Sequence, residues 1–233
     1  GEDGKLQGYF EMIGIPHSTS SSSVTSLTFQ KFHCNQFLKN FGVNVAEALL
    51  FRLEDKIDET DILNKIGLPC FVKPTNAGSS FGITKVKSLK ELTPAIKYAF
   101  SYGNEVIIEA NIKGREVTNG IFRNKEGLKT LPITEIISEN EYFDYEAKYN
   151  GKSKEITPAE INEEQTQNIK SLTYFIYKTL GMNGLVRMDY IVNENNIPFL
   201  IEINSVPGMS KESIIPQMIK EDNKLIKDVL SDI

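Results

Sequence analysis

The amino-acid sequence predicts a mixed α/β (α+β) fold, and three observations support this prediction. Between residues 58 and 109, stretches with helical periodicity alternate with short runs of strand-forming residues. Farther along the chain, two pairs of strands are each joined by a short polar turn. The chain has 233 residues, of which 40% are hydrophobic, so it is long enough to bury one large core or two smaller ones.

The first half of the chain contains the alternating pattern. After a polar turn, apolar residues recur at helical spacing, at Leu6, Tyr9, Phe10 and Ile13. The same spacing predicts further helices, at 27–41, 58–66 and 89–100, and Gly42 ends the first of them. Short apolar runs predict strands, at 47–51, 70–74, 83–86 and 106–109. The Ser-rich stretch 19–23 is predicted to be a loop.

The second half of the chain changes pattern. Two strands, 116–122 and 128–137, flank the polar turn 124–127. The long polar stretch 138–158 is a candidate active-site loop. It is followed by a helix at 163–180, a second hairpin with strands 185–192 and 198–204, and two short helices near the end.

Composition narrows the classes of function. The formal net charge of −5 provides no basic surface for nucleic acid. No apolar stretch approaches the roughly 20 residues that span a bilayer, so no membrane association is expected. Both cysteines, Cys34 and Cys70, lie in apolar runs without a partner motif, which favours buried free thiols in a reducing compartment over a disulfide. We therefore expect a cytoplasmic protein.

The second hairpin contains the strongest candidate for a metal site. Arg187 and Asp189 are two residues apart on one strand, so their side chains share a face. On the returning strand, strict alternation places Leu200, Glu202 and Asn204 together. If the two polar faces coincide, Asp189, Glu202 and Asn204 form a cluster of oxygen donors of the kind that binds Mg²⁺ beside phosphate. The alternative is a hairpin with one face on the core and the other in water.

Phosphate-binding groups are the next candidates. Lys73 ends a predicted strand and precedes the flexible loop 76–82, whose backbone N–H groups could cradle a phosphate. That loop lacks the spacing of a Walker A motif, and an ordinary turn is the alternative. Lys31, on a predicted helix, is a second candidate, with a surface lysine as its alternative.

Two further segments could complete an active site. Segment 145–149, with a lysine between two tyrosines, could close over a nucleotide and exclude water, and a solvated lysine between exposed tyrosines is the alternative. Segment 204–210 leaves a strand through Gly208, which could aim backbone N–H groups at an oxyanion. An ordinary strand-to-helix connection explains that segment equally well.

Taken together, these segments resemble D-alanine:D-alanine ligases, in the same order and at similar spacings from Gly1 to the end of the chain. The motifs that carry the resemblance are Gly1-Glu2-Asp3-Gly4 with Gln7-Gly8, Val72-Lys73-Pro74, Gly78-Ser79-Ser80-Phe81-Gly82, the segment 145–149, Arg187-Met188-Asp189, Glu202-Ile203-Asn204 and Pro207-Gly208-Met209. The resemblance implies an ATP-grasp fold, in which two α/β subdomains sandwich ATP. It also implies three parts: a remnant of an N-terminal α/β substrate domain (1–26), a central subdomain (27–115) and a C-terminal catalytic subdomain (116–233).

The resemblance further implies roles for individual residues. ATP would be bound by Lys31 and Lys73 at the phosphates, by Glu109 and the backbone from Ala110 to Ile112 at adenine, and by Glu116 at the ribose. Ser80 is a further expected ligand of ATP. Asp189, Glu202 and Asn204 would hold two Mg²⁺, with Mn²⁺ as an alternative. Lys148 would contact the transferred phosphate, Arg187 and the Gly208 N–H would stabilise a tetrahedral oxyanion, and Ser213 would bind the second substrate's carboxylate. Ser79 and Tyr149 would close the active-site loop.

The implied reaction joins two D-alanines through an acyl phosphate, with ATP as the phosphate donor, for peptidoglycan precursor synthesis, and a homodimer is the implied assembly. Tyr149 favours an amine acceptor, and ligation to D-lactate or D-serine is the alternative. The sequence departs from the family at Gln30, His17 and the stretch 20–23. A Gly-rich opening segment that supplies a glutamate partner for Ser79 and Tyr149 is missing from this chain. A nucleotide-binding module without catalysis is therefore a further hypothesis, and this chain is expected to turn over poorly alone.

Overall fold

The computed structural model describes residues 1–75, 82–138 and 153–233. The chain forms two compact units. Unit 1 comprises Gly1–Asn44, Gly114–Ile137 and Glu155–Ile233, and unit 2 comprises Val45–Lys113 and Ser138–Lys154. Among the helices in the described ranges, none is both long and apolar enough to cross a membrane. The three-part division expected from the sequence stays a prediction.

Unit 1 is built around a five-stranded sheet. Its described strands are β5 (Gly114–Asn124), β6 (Gly127–Ser138), β7 (Ser153–Ile156), β8 (Val186–Asn193) and β9 (Pro198–Asn204), in the order β7-β6-β5-β8-β9. The helices of this unit are α1 (Lys5–Met12), α2 (Ser22–Phe29), α3 (Lys31–Lys39), α6 (Glu163–Thr179), α7 (Ile214–Glu221) and α8 (Ile226–Asp232). The pairs β6–β5, β5–β8 and β8–β9 are antiparallel.

One face of this sheet is covered by α6. The helix begins with a capping box, because the Asn162 side chain accepts from the Gln165 N–H while the Gln165 side chain accepts from the Asn162 N–H. Its fully buried Thr173 hydroxyl hydrogen-bonds the Tyr190 hydroxyl of β8 at 2.9 Å. Side chains alternate along a strand, so Tyr190 faces α6 and its neighbour Asp189 faces the opposite side of the sheet.

Unit 2 contains a four-stranded antiparallel sheet. Its described elements are β1 (Ala48–Arg52), α4 (Glu59–Lys65), β2 (Cys70–Pro74), β3 (Thr84–Val86), α5 (Leu89–Phe100) and β4 (Glu105–Ala110), and the strand order is β1-β4-β2-β3. Buried residues of α5, including Leu92 and Ile96, pack on Val72 and Ile108 to form the core. One face of this sheet is therefore apolar and covered, whereas Lys73 and Glu109 lie on the other.

Most predicted elements are confirmed, and three predictions are wrong. The single helix expected at 27–41 is two helices, because Gln30 adopts a non-helical ψ of 82° between α2 and α3. The first of these begins at Ser22, inside the stretch predicted as a loop, since the Ser21 hydroxyl accepts from the Val24 N–H and caps the helix. The polar stretch 138–158 also contains a strand, β7, where a loop was expected.

The two cysteines are buried free thiols, as predicted. Burial raises the pKa of Cys34 to about 12 and that of Cys70 to about 11. Since the thiolate is the reactive form, we expect neither thiol to react with Ellman's reagent in the folded chain at pH 8, and both to react after unfolding in urea. The exposed variant Ser231→Cys is the positive control and should react in the folded state. Labelling of a native cysteine at the control's rate would show that its burial is transient.

Candidate functional site

The strand register of the second hairpin places the predicted metal ligands together. Asp189 pairs with Glu202 and Arg187 pairs with Asn204, so these four side chains share the face opposite α6. This confirms that the two polar faces coincide. The pairing shifts between Asp189 and Tyr190, which places Leu200 opposite Tyr190.

The register shift corrects one prediction about β9. Strict alternation placed Leu200 on the same face as Glu202 and Asn204, and this is wrong. A bulge adds one residue to the strand, so Leu200 shares the buried face with Ile203 and is only 2% exposed. The bulge leaves the polar pair Glu202 and Asn204 where the prediction required them.

Asp189 is the hub of this face and is 6% exposed. Its Oδ1 accepts from the Thr118 hydroxyl at 2.5 Å and from Arg187 Nε at 2.9 Å. Its Oδ2 accepts from Arg187 Nη2 at 2.9 Å and from Asn204 Nδ2 at 3.0 Å. Four donors therefore fix the orientation of a single carboxylate.

The guanidinium of Arg187 is held in its charged form. Burial alone would lower its pKa, but the carboxylates of Asp189, Glu202 and Glu155 outweigh burial, and the pKa is raised. Arg187 therefore keeps its positive charge at neutral pH. A fixed positive charge beside two carboxylates suits a site in which phosphate or an oxyanion must be stabilised.

Lys31 adds a second cation to the same cluster. It is the first residue of α3, and its Nζ lies 3.2 Å from Oε2 of Glu202. Both side chains are largely buried, with 14% and 22% of their surface exposed. The break at Gln30 sets the direction of α3, which packs on β9 and so delivers this lysine.

Glu116, the predicted ribose ligand, lies on the same face of the sheet. In the β5–β8 register, Glu116 pairs with Ile191 and Thr118 pairs with Asp189. Glu116 and Thr118 are two residues apart on β5, so both side chains point to the Asp189 side. The described sheet therefore assembles its predicted nucleotide and metal ligands on one surface, although they come from three strands.

Gly208 and Ser213 lie close together beyond β9. A Cβ placed on Gly208 would lie 2.9 Å from Oγ of Ser213, so a side chain at this glycine would crowd the serine. Ser213 precedes α7, and its N–H donates to the Ser210 carbonyl at 2.9 Å while the two hydroxyls lie 2.8 Å apart. This turn holds the Ser213 hydroxyl near the Gly208 backbone.

In unit 2, Lys73 and Glu109 form a buried ion pair. Their Nζ and Oε1 atoms are 2.5 Å apart, and Lys73 is only 5% exposed. The N–H of the neighbouring Ala110 donates to the Glu47 carbonyl at 2.8 Å. Ile112, two residues farther, is half-buried. A buried lysine on the sheet face opposite the apolar core has no packing role that an apolar residue would not fill better, which supports a binding role.

Four predicted site residues lie outside the described residues: Ser79, Ser80, Lys148 and Tyr149. Their roles stay predictions. Within 1–75, 82–138 and 153–233, no group of three or more His, Cys, Asp or Glu side chains is arranged to hold a metal ion. The predicted set has two carboxylates and one amide, and hard oxygen donors of these kinds fit Mg²⁺ when phosphate oxygens complete the coordination.

Comparison with known proteins shows to which family the chain belongs. Residues 37–233 match the family model described as D-ala D-ala ligase C-terminus. The chain belongs to this family. It is 50% identical over 233 residues to the D-alanine--D-alanine ligase of Phocaeicola vulgatus and 49% identical to that of Bacteroides fragilis, covering all of this chain and 72% of each relative.

Solved structures give the same family and its fold. The D-alanine--D-alanine ligase from Bacillus anthracis complexed with ATP matches with a TM-score of 0.86 at 28% identity, covering 100% of this chain and 73% of that one. The VanG D-Ala:D-Ser ligase from Enterococcus faecalis matches with a TM-score of 0.89 at 32% identity, covering 99% and 68%. The predicted ATP-grasp fold is confirmed.

Sequence reasoning did not identify Thr118, which contacts the predicted metal ligand Asp189. Its hydroxyl touches Asp189 from a position 71 residues earlier in the chain. A threonine in a strand is ordinary, because β-branched residues favour strands. Only the register between β5 and β8 reveals the contact.

Proposed function

We propose that this protein is an ATP-dependent D-alanine:D-alanine ligase that supplies D-alanyl-D-alanine for peptidoglycan precursors. The observation that carries the proposal is the polar face of the unit 1 sheet, where Asp189, Glu202 and Asn204 lie with Arg187 and Lys31 around them. Family membership gives the ligase class. Residues 1–26 would belong to the domain that binds the first D-alanine, and a homodimer is part of the proposal.

In the proposed reaction, the carboxylate oxygen of one D-alanine attacks the γ-phosphorus of ATP, and the bond to the β–γ bridging oxygen breaks to release ADP. The amine of a second D-alanine then attacks the acyl carbon of the D-alanyl phosphate. The amine loses a proton and phosphate leaves with the bonding electron pair. Such transfers depend mainly on positioning and on stabilising charge.

Residues of unit 1 would hold the reacting groups. Asp189, Glu202 and Asn204 would bind two Mg²⁺, with Mn²⁺ as a substitute, and the bound metal would neutralise phosphate oxygens. Lys31 would contact the phosphates and Glu116 the ribose hydroxyls. Arg187 and the Gly208 N–H would stabilise the tetrahedral oxyanion, and Ser213 would bind the acceptor's carboxylate.

Unit 2 would supply groups for the nucleotide. Lys73 would donate to ATP phosphates, and Glu109 with the backbone from Ala110 to Ile112 would bind adenine. Because the Ala110 N–H donates to Glu47, Ala110 would contact the base through its carbonyl. Ser80 and Lys148 would contact phosphate, and Ser79 with Tyr149 would close the loop over it.

The choice of acceptor is a separate question. Tyr149 favours an amine, which is consistent with D-alanine, while the likeness to a D-Ala:D-Ser ligase makes D-serine the second candidate. Phosphate release and dipeptide formation should be measured with D-alanine alone, and with D-alanine plus an excess of D-serine or D-lactate. We expect D-alanyl-D-alanine as the main product in all three. A mixed product that dominates would overturn the acceptor assignment.

The ligase proposal is tested by phosphate release from ATP and Mg²⁺, with and without D-alanine, on the full-length protein and on these 233 residues. We expect D-alanine to stimulate release in the full-length protein and much less in the shorter chain. Release that D-alanine fails to stimulate in either protein, although ATP binds, would instead favour a nucleotide-binding module.

A further inference from the structure

Thr118 is buried at the point where the proposed metal site meets the middle of the unit 1 sheet. The residue is 0% exposed and lies on β5 directly opposite Asp189 in the register. Its hydroxyl oxygen lies 2.5 Å from Oδ1 of Asp189 and 3.2 Å from the Met188 carbonyl oxygen. A hydroxyl has one proton, and the shorter distance to a charged acceptor assigns it to Asp189.

We propose that Thr118 is a positioning residue for the metal ligand Asp189. Its hydroxyl fixes the rotation of the carboxylate, so that the Asp189 oxygens meet the cation in one orientation. Thr118 touches neither substrate nor metal in this proposal and acts only through Asp189. The inference rests on the proposed function in one respect, which is that Asp189 binds the cation.

The other donors on Asp189 cannot replace this contact. Arg187 lies two residues from Asp189 on the same strand, and its guanidinium donates to both carboxylate oxygens. Its long side chain can move with the carboxylate, so this contact does not fix the carboxylate's rotation. Asn204 reaches only Oδ2. Thr118 approaches Oδ1 from the neighbouring strand, and a β-branched side chain in a strand has few rotamers. It is therefore the most rigid of the three donors.

The register extends this arrangement across the sheet. Glu202, Asp189, Thr118 and Thr134 pair in sequence across four neighbouring strands. Thr134 is fully buried, and its hydroxyl hydrogen-bonds that of Thr157 at 2.6 Å. All four residues in this row are polar. Buried polar side chains need hydrogen-bond partners, and here the Asp189 carboxylate is such a partner for Thr118.

The direct test is cation binding by variants of Thr118. Thr118→Val has nearly the same shape and removes the hydroxyl, whereas Thr118→Ser keeps the hydroxyl. Mn²⁺ binding to the full chain in the presence of ADP should be measured by electron paramagnetic resonance of free Mn²⁺. Because partners of metal ligands typically contribute about 10- to 100-fold to metal affinity, we expect a loss of about tenfold in Thr118→Val. Thr118→Ser should bind within about threefold of the unaltered chain.

A matched control separates this role from ordinary core stability. Thr173→Val also removes a fully buried threonine hydroxyl, on the opposite face of the same sheet, where it hydrogen-bonds Tyr190. We expect Thr173→Val to lower the melting temperature like Thr118→Val but to leave Mn²⁺ affinity unchanged. Thermal melts followed by circular dichroism confirm that each variant is folded before binding is measured.

Asp189→Asn distinguishes failure of this inference from failure of the proposed site. If Asp189→Asn weakens Mn²⁺ binding but folded Thr118→Val binds as tightly as the unaltered chain, the positioning role of Thr118 is wrong. If Asp189→Asn leaves binding unchanged, or the unaltered chain does not bind Mn²⁺ with ADP, the metal site itself is wrong. The Mg²⁺ dependence of phosphate release should agree, with a higher Mg²⁺ concentration needed at half-maximal rate in Thr118→Val.

Discussion

In the full-length protein used for the phosphate-release test, Asp189→Asn is expected to lower D-alanine-dependent phosphate release by about 1,000-fold, because it removes charge from the proposed metal ligand. The substitution also places an amide NH₂ group where hydrogen-bond donors point. If the NH₂ replaces Oδ1, it meets the Thr118 hydroxyl and Arg187 Nε. If it replaces Oδ2, it meets Arg187 Nη2 and Asn204 Nδ2.

The same change should destabilise the fold. Arg187 would lose its closest counter-charge while largely buried, and breaking a buried pair costs about 3 kcal/mol. Glu202 and Glu155 also act on Arg187, which limits the loss. Urea denaturation of Asp189→Asn measures this loss of stability. Activity should be assayed without urea, at a temperature at which circular dichroism shows that the variant is folded.

A control for Asp189→Asn is Asp228→Asn, which makes the same chemical change on the exposed surface of α8. We expect Asp228→Asn to keep its activity, and its free energy of unfolding should change by less than about 0.5 kcal/mol. Folded Asp189→Asn that retains phosphate release within tenfold of the unaltered chain would remove Asp189 from the reaction and, with it, the assignment of the whole cluster.

The sequence predicted the shared face of these polar side chains well, because the information that places them is local. Arg187 and Asp189 lie on one strand, Glu202 and Asn204 on the next, and a short hairpin must bring them together. Alternation by two then determines which side chains share a face. The same rule failed at Leu200, because a bulge is a departure from alternation that no composition pattern marked.

Contacts between distant segments could not be predicted in this way. Thr118 reaches Asp189 through a register set by the whole sheet, and Lys31 reaches Glu202 because α3 begins anew after Gln30. The apolar spacing of 27–41 suits one helix as well as two, since both bury the same positions. The backbone conformation of Gln30 sets the direction of α3 and therefore the position of Lys31. The residue type at position 30 does not predict that conformation.

Lys73→Met is expected to weaken ATP binding by roughly 10- to 100-fold, since a charged hydrogen bond to phosphate is worth about 1.5–3 kcal/mol. Methionine has a similar length and no charge. The substitution also leaves the Glu109 carboxylate without the lysine that lies 2.5 Å away. A fall of about 3 kcal/mol in the free energy of unfolding should therefore accompany the loss of affinity.

A double variant separates the two effects of Lys73. Lys73→Met with Glu109→Gln removes both charges, so no buried charge is left unpaired and most of the stability should return. Affinity for ATP, measured by calorimetry, should stay low because the phosphate donor is still missing. Lys65→Met is the surface control: its exposed pair with Asp61 is worth less than about 1 kcal/mol, and neither stability nor affinity should change appreciably. Recovery of ATP affinity in the double variant would mean that Lys73 serves only as the counter-ion of Glu109, and the phosphate contact would then have to come from other cations of the chain.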